Sequence, residues 1–278
     1  MLLPVREGQL GLRQSDAVFH HVQQLPKVMR ELTADGALIP EAIGVSTRPR
    51  PIEGSYMPCF EVGRSLAEQL GAMLRVPVYE FSHQEGHIAA AMFSADCIEA
   101  AGQRFVAFHL SGGTTEAVLV ERDGNGMKVD WIAGSLDLKA GQAVDRVAGM
   151  LGLPFPGGVH LDRLAQQCSD RIKCRPTMKG LDCCLSGVEN RCRKLLSEGK
   201  DPEYIARFCI EYIAETLVAM CRGIIEQYGE LPMLFAGGVS SNSTIRERIG
   251  KEFGAYFAAP EFSCDNAAGI ALLAAGVI

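Results

Sequence analysis

The chain has 278 residues, 47% hydrophobic and 22% charged, which describes a soluble globular protein able to bury a sizeable core and better suited to two domains than to one. Its formal net charge of -6 argues against nucleic-acid binding by the surface as a whole and leaves room for a local basic face. The most apolar long stretch, 205–225, carries Arg207, Glu211, Glu215 and Arg222; it reads as an amphipathic core helix and excludes a membrane span there.

From the start, Met1-Leu2-Leu3-Pro4 runs at once into charged and polar residues, so no secretory signal is expected. Val18, Val22, Leu25, Val28, Met29 and Leu32 line one side of a helix over 15–32. A short strand at 42–46, a loop rich in proline and arginine, a second helix over 61–74 and a strand over 76–81 follow. Strands alternating with helices predict an α/β fold with parallel pairing.

That strand delivers His83-Gln84-Glu85-Gly86-His87. With Ser82 as cap of a helix starting at His83, the two imidazoles stand at i and i+4 on one face, the spacing of a metal pair. Glu85 then occupies the third helical position and can bond back to the cap. A zinc peptidase needs its glutamate directly after the first histidine, where Gln84 stands, so that chemistry is disfavoured. A partly buried, hydrogen-bonded histidine pair is the plain alternative. Gly86 costs about 1 kcal/mol relative to alanine inside a helix and suggests that something approaches the backbone there; a metal would still need a third ligand.

At Arg104 the pattern turns β-rich, which places a domain boundary between 1–103 and 104–278. Strands over 105–110 and 117–120 flank Ser111-Gly112-Gly113-Thr114-Thr115-Glu116, and the turn Asp123-Gly124-Asn125-Gly126 leads to a third strand near 127–132, an antiparallel meander. Helices are expected over 140–150, 161–168, 187–196 and 203–228, then a strand over 233–236, a helix after Gly237-Gly238 and a last helix over 266–275. The two glycine pairs are candidate phosphate or nucleotide cradles, with a tight turn as the default for each alone. Among Ser240, Ser241, Asn242 and Ser243, capping accounts for one residue, and the others are open to a ligand. Asp265-Asn266 stands where a helix cap belongs, and Asp265 is also a candidate carboxylate to complete the histidine pair, a set that suits iron or zinc. Arg171, Lys173, Arg175, Lys179, Arg191, Arg193 and Lys194 form the dense basic cluster; a solvated face and an RNA-backbone contact explain it equally well. Ten cysteines without a C-x-x-C pair suit a reducing cytoplasm.

Taken together, His83-x-Glu85-Gly86-His87, Ser111-Gly112-Gly113, Gly141-x-Ala143-x-Asp145, Leu151-Gly152-Leu153-Pro154-x-Pro156-Gly157-Gly158, Ala236-Gly237-Gly238-Val239-x-x-Asn242 and Asp265-Asn266-Ala267-Ala268 occur in one order. This series resembles the TsaD family of tRNA threonylcarbamoyltransferases. The resemblance implies the two-domain fold of actin-like ATPases, sugar kinases and heat-shock chaperone ATPases (ASKHA), whose halves enclose a nucleotide cleft. It implies transfer of a threonylcarbamoyl group from threonylcarbamoyl-adenylate to the adenosine next to the anticodon in tRNAs reading ANN codons. It assigns His83, His87 and Asp265 to one divalent metal ion, iron or zinc, and Leu110, Ser111, Gly112, Gly113, Thr114, Thr115, Asp145, Gly158 and Asn242 to the adenylate-type substrate. It also implies tRNA, a paralogous subunit of the same fold and a small ATPase as partners in the cytoplasm, with no membrane.

Some positions differ from the family pattern. Thr114 stands for a histidine, Glu116 for a glutamine, Gln142 for a glutamate and Glu189 for a lysine, while Arg48-Pro49-Arg50 replaces a G-P-G segment. Family members begin with a strand hairpin that nothing before Leu2 matches, and the expectation is that an upstream extension of the coding region carries it, the first domain here lacking those strands. A second reading, a non-catalytic paralogue used as an assembly or docking subunit, accommodates the same differences. An intact His83, His87 and Asp265 favours the enzyme.

Overall fold

In the computed structural model the described residues are 12–36, 39–100, 102–124, 126–262 and 267–278. They fall into two compact units, the first from the described parts of Met1–Ala90, Asp123–Met127 and Asn266–Ile278, the second from those of Ala91–Arg122 and Lys128–Asp265.

Unit 1 is built on a crossover. Strand β1 (Ile43–Arg48) pairs in parallel with β2 (Val78–Ser82), Ile43 opposite Val78 and Ser46 opposite Phe81, and helix α2 (Pro58–Leu74) makes the connection that parallel strands require. Pro58 opens α2, where its missing N–H has no intrahelical role. Helix α1 (Gln14–Leu32) packs along α2. Helix α3 (His83–Ser94) leaves β2 without a linker. The short α9 (Ala268–Ala274) lies on β1 and against α3. Glycine makes that contact possible: a Cβ on Gly269 would fall on the Gly86 carbonyl oxygen, and one on Gly86 would meet Ile270 at 2.8 Å. The close approach expected at Gly86 is therefore a helix, and close packing alone accounts for this glycine.

The sheet of unit 2 runs in the order β5 (Gly126–Gly134), β4 (Thr115–Asp123), β3 (Arg104–Leu110), β8 (Met233–Ala236), β9 (Tyr256–Phe257). β3 is antiparallel to β4 and parallel to β8, so it joins the hairpin half of the sheet to the crossover half. Phe108 and Phe235 stack at 4.3 Å between these neighbours, and each is essentially solvent-free; such burial stabilises by roughly 1.5–3 kcal/mol per ring. Helices α4 (Ala140–Met150), α5 (Gly158–Ala165), α6 (Ser186–Ser197), α7 (Pro202–Tyr228) and α8 (Ser243–Phe253) complete the unit. Buried nearly all round, α7 is the core helix expected from its sequence. Two of its carboxylates are paired: Glu211 bonds Arg207 at 2.6 Å and Arg248 of α8 at 2.8 Å, and Glu215 also bonds Arg248. Among the described residues no helix is long and apolar enough to cross a membrane.

Several boundaries differ from the sequence reading. α5 begins at Gly158, three residues early, because the Gly157 carbonyl already accepts the Leu161 N–H at 2.8 Å. The chain after Gly237 first makes a 3-10 turn, Gly238–Ser241, and α8 starts only at Ser243. The last helix begins at Ala268, and Asn266 lies outside the described residues. β9 and a small antiparallel ladder, β6 (Thr177–Lys179) with β7 (Asp182–Cys184), are too short to leave a periodic signal.

Candidate functional site

In unit 1 the histidine pair is fixed by its cap. The Ser82 N–H donates to Glu85 Oε2 at 2.6 Å and the Glu85 N–H donates to Ser82 Oγ at 3.2 Å, the reciprocal capping box. Glu85 is 3% exposed, and its Oε1 accepts the Met127 N–H at 3.0 Å. Both oxygens are thus used in holding the helix start, which removes Glu85 as a base. The result is rigid placement of two half-buried rings, with His83 Nε2 and His87 Nε2 3.0 Å apart. Two nitrogens each about 2.1 Å from one ion, at right angles, stand about that far apart, so the pair fits a shared divalent cation. The same separation serves as a hydrogen bond when one ring carries the proton. Among the described residues no group of three His, Cys, Asp or Glu forms a metal cluster, and Asp265 lies outside the described residues.

Unit 2 holds a cavity of about 320 Å³ whose walls come from the β3–β4 loop, α4, α5, α7 and the turn into α8. Of the residues proposed for substrate, Ser111, Gly112, Asp145, Gly158 and Asn242 line it. Leu110 and Thr115 lie behind it, buried at the two ends of the loop. The Thr115 Oγ1 accepts the Ala140 N–H at 2.8 Å and so fixes the start of α4. Thr114 closes the loop, its N–H donating to Ser111 Oγ at 3.1 Å. Gly113 is not among the lining residues.

The glycines here divide into two kinds. On Gly141 a Cβ would meet the Ser111 carbonyl carbon at 2.6 Å, and Gly237 adopts φ +95° against the Leu110 carbonyl; packing explains both. Beyond the adjoining backbone, Gly112, Gly158 and Gly238 have no atom of the described residues within 4 Å of where a Cβ would stand, and none has a φ that requires glycine. All three line the cavity. Neither a strained φ nor a close packing partner calls for glycine there, and a Cβ at each would stand in open space at the cavity wall.

Two of the polar side chains on the wall are carboxylates, Asp145 and Asp162. Asp145 Oδ1 takes the Gly157 N–H at 2.8 Å. Asp162, unremarked in the sequence, stands one helical turn after Gly158 and so on the same face; that spacing was the signal for it. Its carboxylate takes the Ser243 hydroxyl at 3.1 Å and ties α5 to α8. Asn242 serves as the α8 cap through Oδ1, which accepts the Ile245 N–H at 3.1 Å, and lines the cavity as well. Ser241 is also on the wall, and its buried Oγ has no hydrogen-bond partner among the described residues. Leaving a buried hydroxyl unpaired costs roughly 1–3 kcal/mol.

The basic cluster is more ordered than its composition suggests. From Arg171 to Lys179 exposure alternates residue by residue: Arg171, Lys173, Arg175 and Lys179 face solvent, while Ile172, Cys174 and Met178 pack on the core. On α6, Val188 and Cys192 are buried and Arg191, Arg193 and Lys194 are exposed. Glu189, in the place of a lysine, sits between Arg146 at 2.9 Å and Arg193 at 2.7 Å. The Arg146 hydrogen bond, opposed by burial and aided by Arg193, holds its carboxyl below the usual value.

The HypF structure from T. kodakarensis has a TM-score of 0.60 at 14% identity, over 91% of this chain and 42% of that one. Full-length HypF in the phosphate- and nucleotide-bound form has a TM-score of 0.58 at 14% identity, over 97% of this chain and 50% of that one. The chain thus spans half or less of these HypF chains. The likeness establishes the fold, that of the actin-like, sugar-kinase and heat-shock chaperone ATPases. The family model for TsaD, tRNA N6-adenosine threonylcarbamoyltransferase, matches residues 9–272. On that match over nearly its whole length, the chain belongs to the TsaD family, an acyltransferase family that acts on tRNA.

Proposed function

We propose that this protein transfers a threonylcarbamoyl group from threonylcarbamoyl-adenylate to the exocyclic amine of the adenosine next to the anticodon in tRNAs that read ANN codons. The observation that carries the reading is the cavity of unit 2, with Gly112, Gly158 and Gly238 on its wall and open space at each where a Cβ would stand. In this reading the adenosine part of the donor lies against Val144, Val239 and Ile245, and its hydroxyls donate to Asp145 and Asp162. The Gly112 and Gly238 backbone approaches the rest of the adenylate.

The acceptor RNA rests on the solvent-facing row Arg171, Lys173, Arg175 and Lys179, joined by Arg191, Arg193 and Lys194. Its amine nitrogen bonds to the carbamoyl carbon, the bond from that carbon to the adenylate oxygen breaks, adenosine monophosphate leaves, and the amine proton passes to solvent. The acyl group is already activated, so the protein's work is positioning and exclusion of water, and no side chain is assigned as general base. His83 and His87, with Asp265 from the family pattern, would hold one divalent ion, iron or zinc. Such an ion supplies Lewis-acid polarisation of a bound oxygen. The paralogous subunit and small ATPase implied by the resemblance would be partners of this assembly.

Incubation of the purified protein with unmodified tRNA and threonylcarbamoyl-adenylate, followed by nucleoside digestion and mass spectrometry, tests the reading. Threonylcarbamoyladenosine is expected in the digest. Its absence, while an active family member modifies the same tRNA in parallel, would reject the proposal for this chain.

A further inference from the structure

Four consecutive polar side chains lead from the 3-10 turn into α8, and three of them are engaged within the protein. Ser240 Oγ donates to the Gly237 carbonyl at 2.6 Å, Asn242 Oδ1 caps the helix, and Ser243 Oγ donates to Asp162. Ser241 alone has a buried hydroxyl with no partner among the described residues, and it is the one of the three serines that lines the cavity. As a structural group it is a liability that alanine would remove.

The surrounding chemistry shows what the hydroxyl is suited to. The cavity wall includes Val144, Pro156, Ile210, Val239 and Ile245, and among the described residues no lysine or arginine lines it. That composition fits an uncharged nucleoside better than a phosphate. The carboxylate oxygens of Asp145 and Asp162 accept hydrogen bonds from the Gly157 N–H and the Ser243 hydroxyl, so an oxygen or ring nitrogen of the nucleoside needs a donor from elsewhere on the wall. A serine hydroxyl supplies one and changes its direction by rotation between staggered positions.

We propose that Ser241 is a specificity-determining residue whose hydroxyl turns into the cavity and donates a hydrogen bond to an acceptor atom of the bound nucleoside, either a ribose oxygen or a purine ring nitrogen. The inference rests on the nucleotide reading of this cavity, and its test separates the two. Adenosine monophosphate is titrated calorimetrically into the full chain and into Ser241→Ala, and the melting temperature of each ligand-free protein is recorded. The expected result is affinity weakened by about five- to tenfold, the scale of one hydrogen bond, with a ligand-free melting temperature equal to or above that of the wild type.

Wild-type protein that fails to bind overturns the nucleotide reading and this inference together. Binding by the wild type that Ser241→Ala matches overturns the inference alone, as does a lowered ligand-free melting temperature, which would make the hydroxyl a structural bond. Analogues lacking one ribose hydroxyl or one purine ring nitrogen then identify the accepting atom. The analogue without it should bind wild type and Ser241→Ala alike, and a penalty that persists through the whole set counts against a hydrogen bond.

Discussion

At the scale of single residues, the histidine pair was legible because i and i+4 geometry is a property of any helix, and Ser82 with Glu85 announced where the helix begins. The structure gives the pair its separation, 3.0 Å between the two Nε2 atoms, which a sequence cannot state. Wild-type protein purified without chelators should carry about one divalent ion per chain, and His83→Ala or His87→Ala should bring metal content near zero by mass spectrometry. Retention of the ion in both variants would remove the pair as ligands. Ser241 was harder to read. A run of serines beside an asparagine looks like capping, and only the partner of each hydroxyl separates one residue from its neighbours.

At the scale of elements, periodicity located α7 and β8 nearly to the residue, since both are long or strongly apolar and central to the core. Packing explains what periodicity missed. Gly86 has its cause in α9, almost two hundred residues along the chain, and no local rule reaches that far.

The junction of α4 with α6 is another element-scale feature, centred on Asp137. Its carboxylate accepts the Leu138 and Leu185 N–H groups at 2.6 and 2.7 Å and the Ser186 hydroxyl at 2.5 Å. Burial alone would raise its pKa; the Ser186 hydroxyl and the three backbone N–H groups outweigh that and hold it below its ordinary 3.8. A lowered folded pKa means that the junction contributes its full stability above about pH 4 and loses it as pH falls through the lower folded value. Asp137→Asn should therefore melt below the wild type at neutral pH, and the gap should narrow as the solution is acidified below about pH 4. A gap independent of pH would show that the charge of Asp137 does not hold the junction.

At the scale of the molecule, strand and helix order pointed to the α/β class, and six short motifs in one order pointed to the family; the match over residues 9–272 and the HypF likeness bear out both. Less of the cavity was legible. The sequence supplied its glycines without distinguishing those that packing requires, such as Gly141 and Gly237, from those with open space, Gly112, Gly158 and Gly238. The second kind, on the cavity wall, leaves room for a ligand. The affinity of Gly158→Val for adenosine monophosphate tests that distinction most directly. Wild-type protein should bind the nucleotide, and the variant should bind it at least about tenfold more weakly, because a valine side chain on the cavity wall takes up room that the ligand needs. Equal affinity in the two proteins would contradict the account.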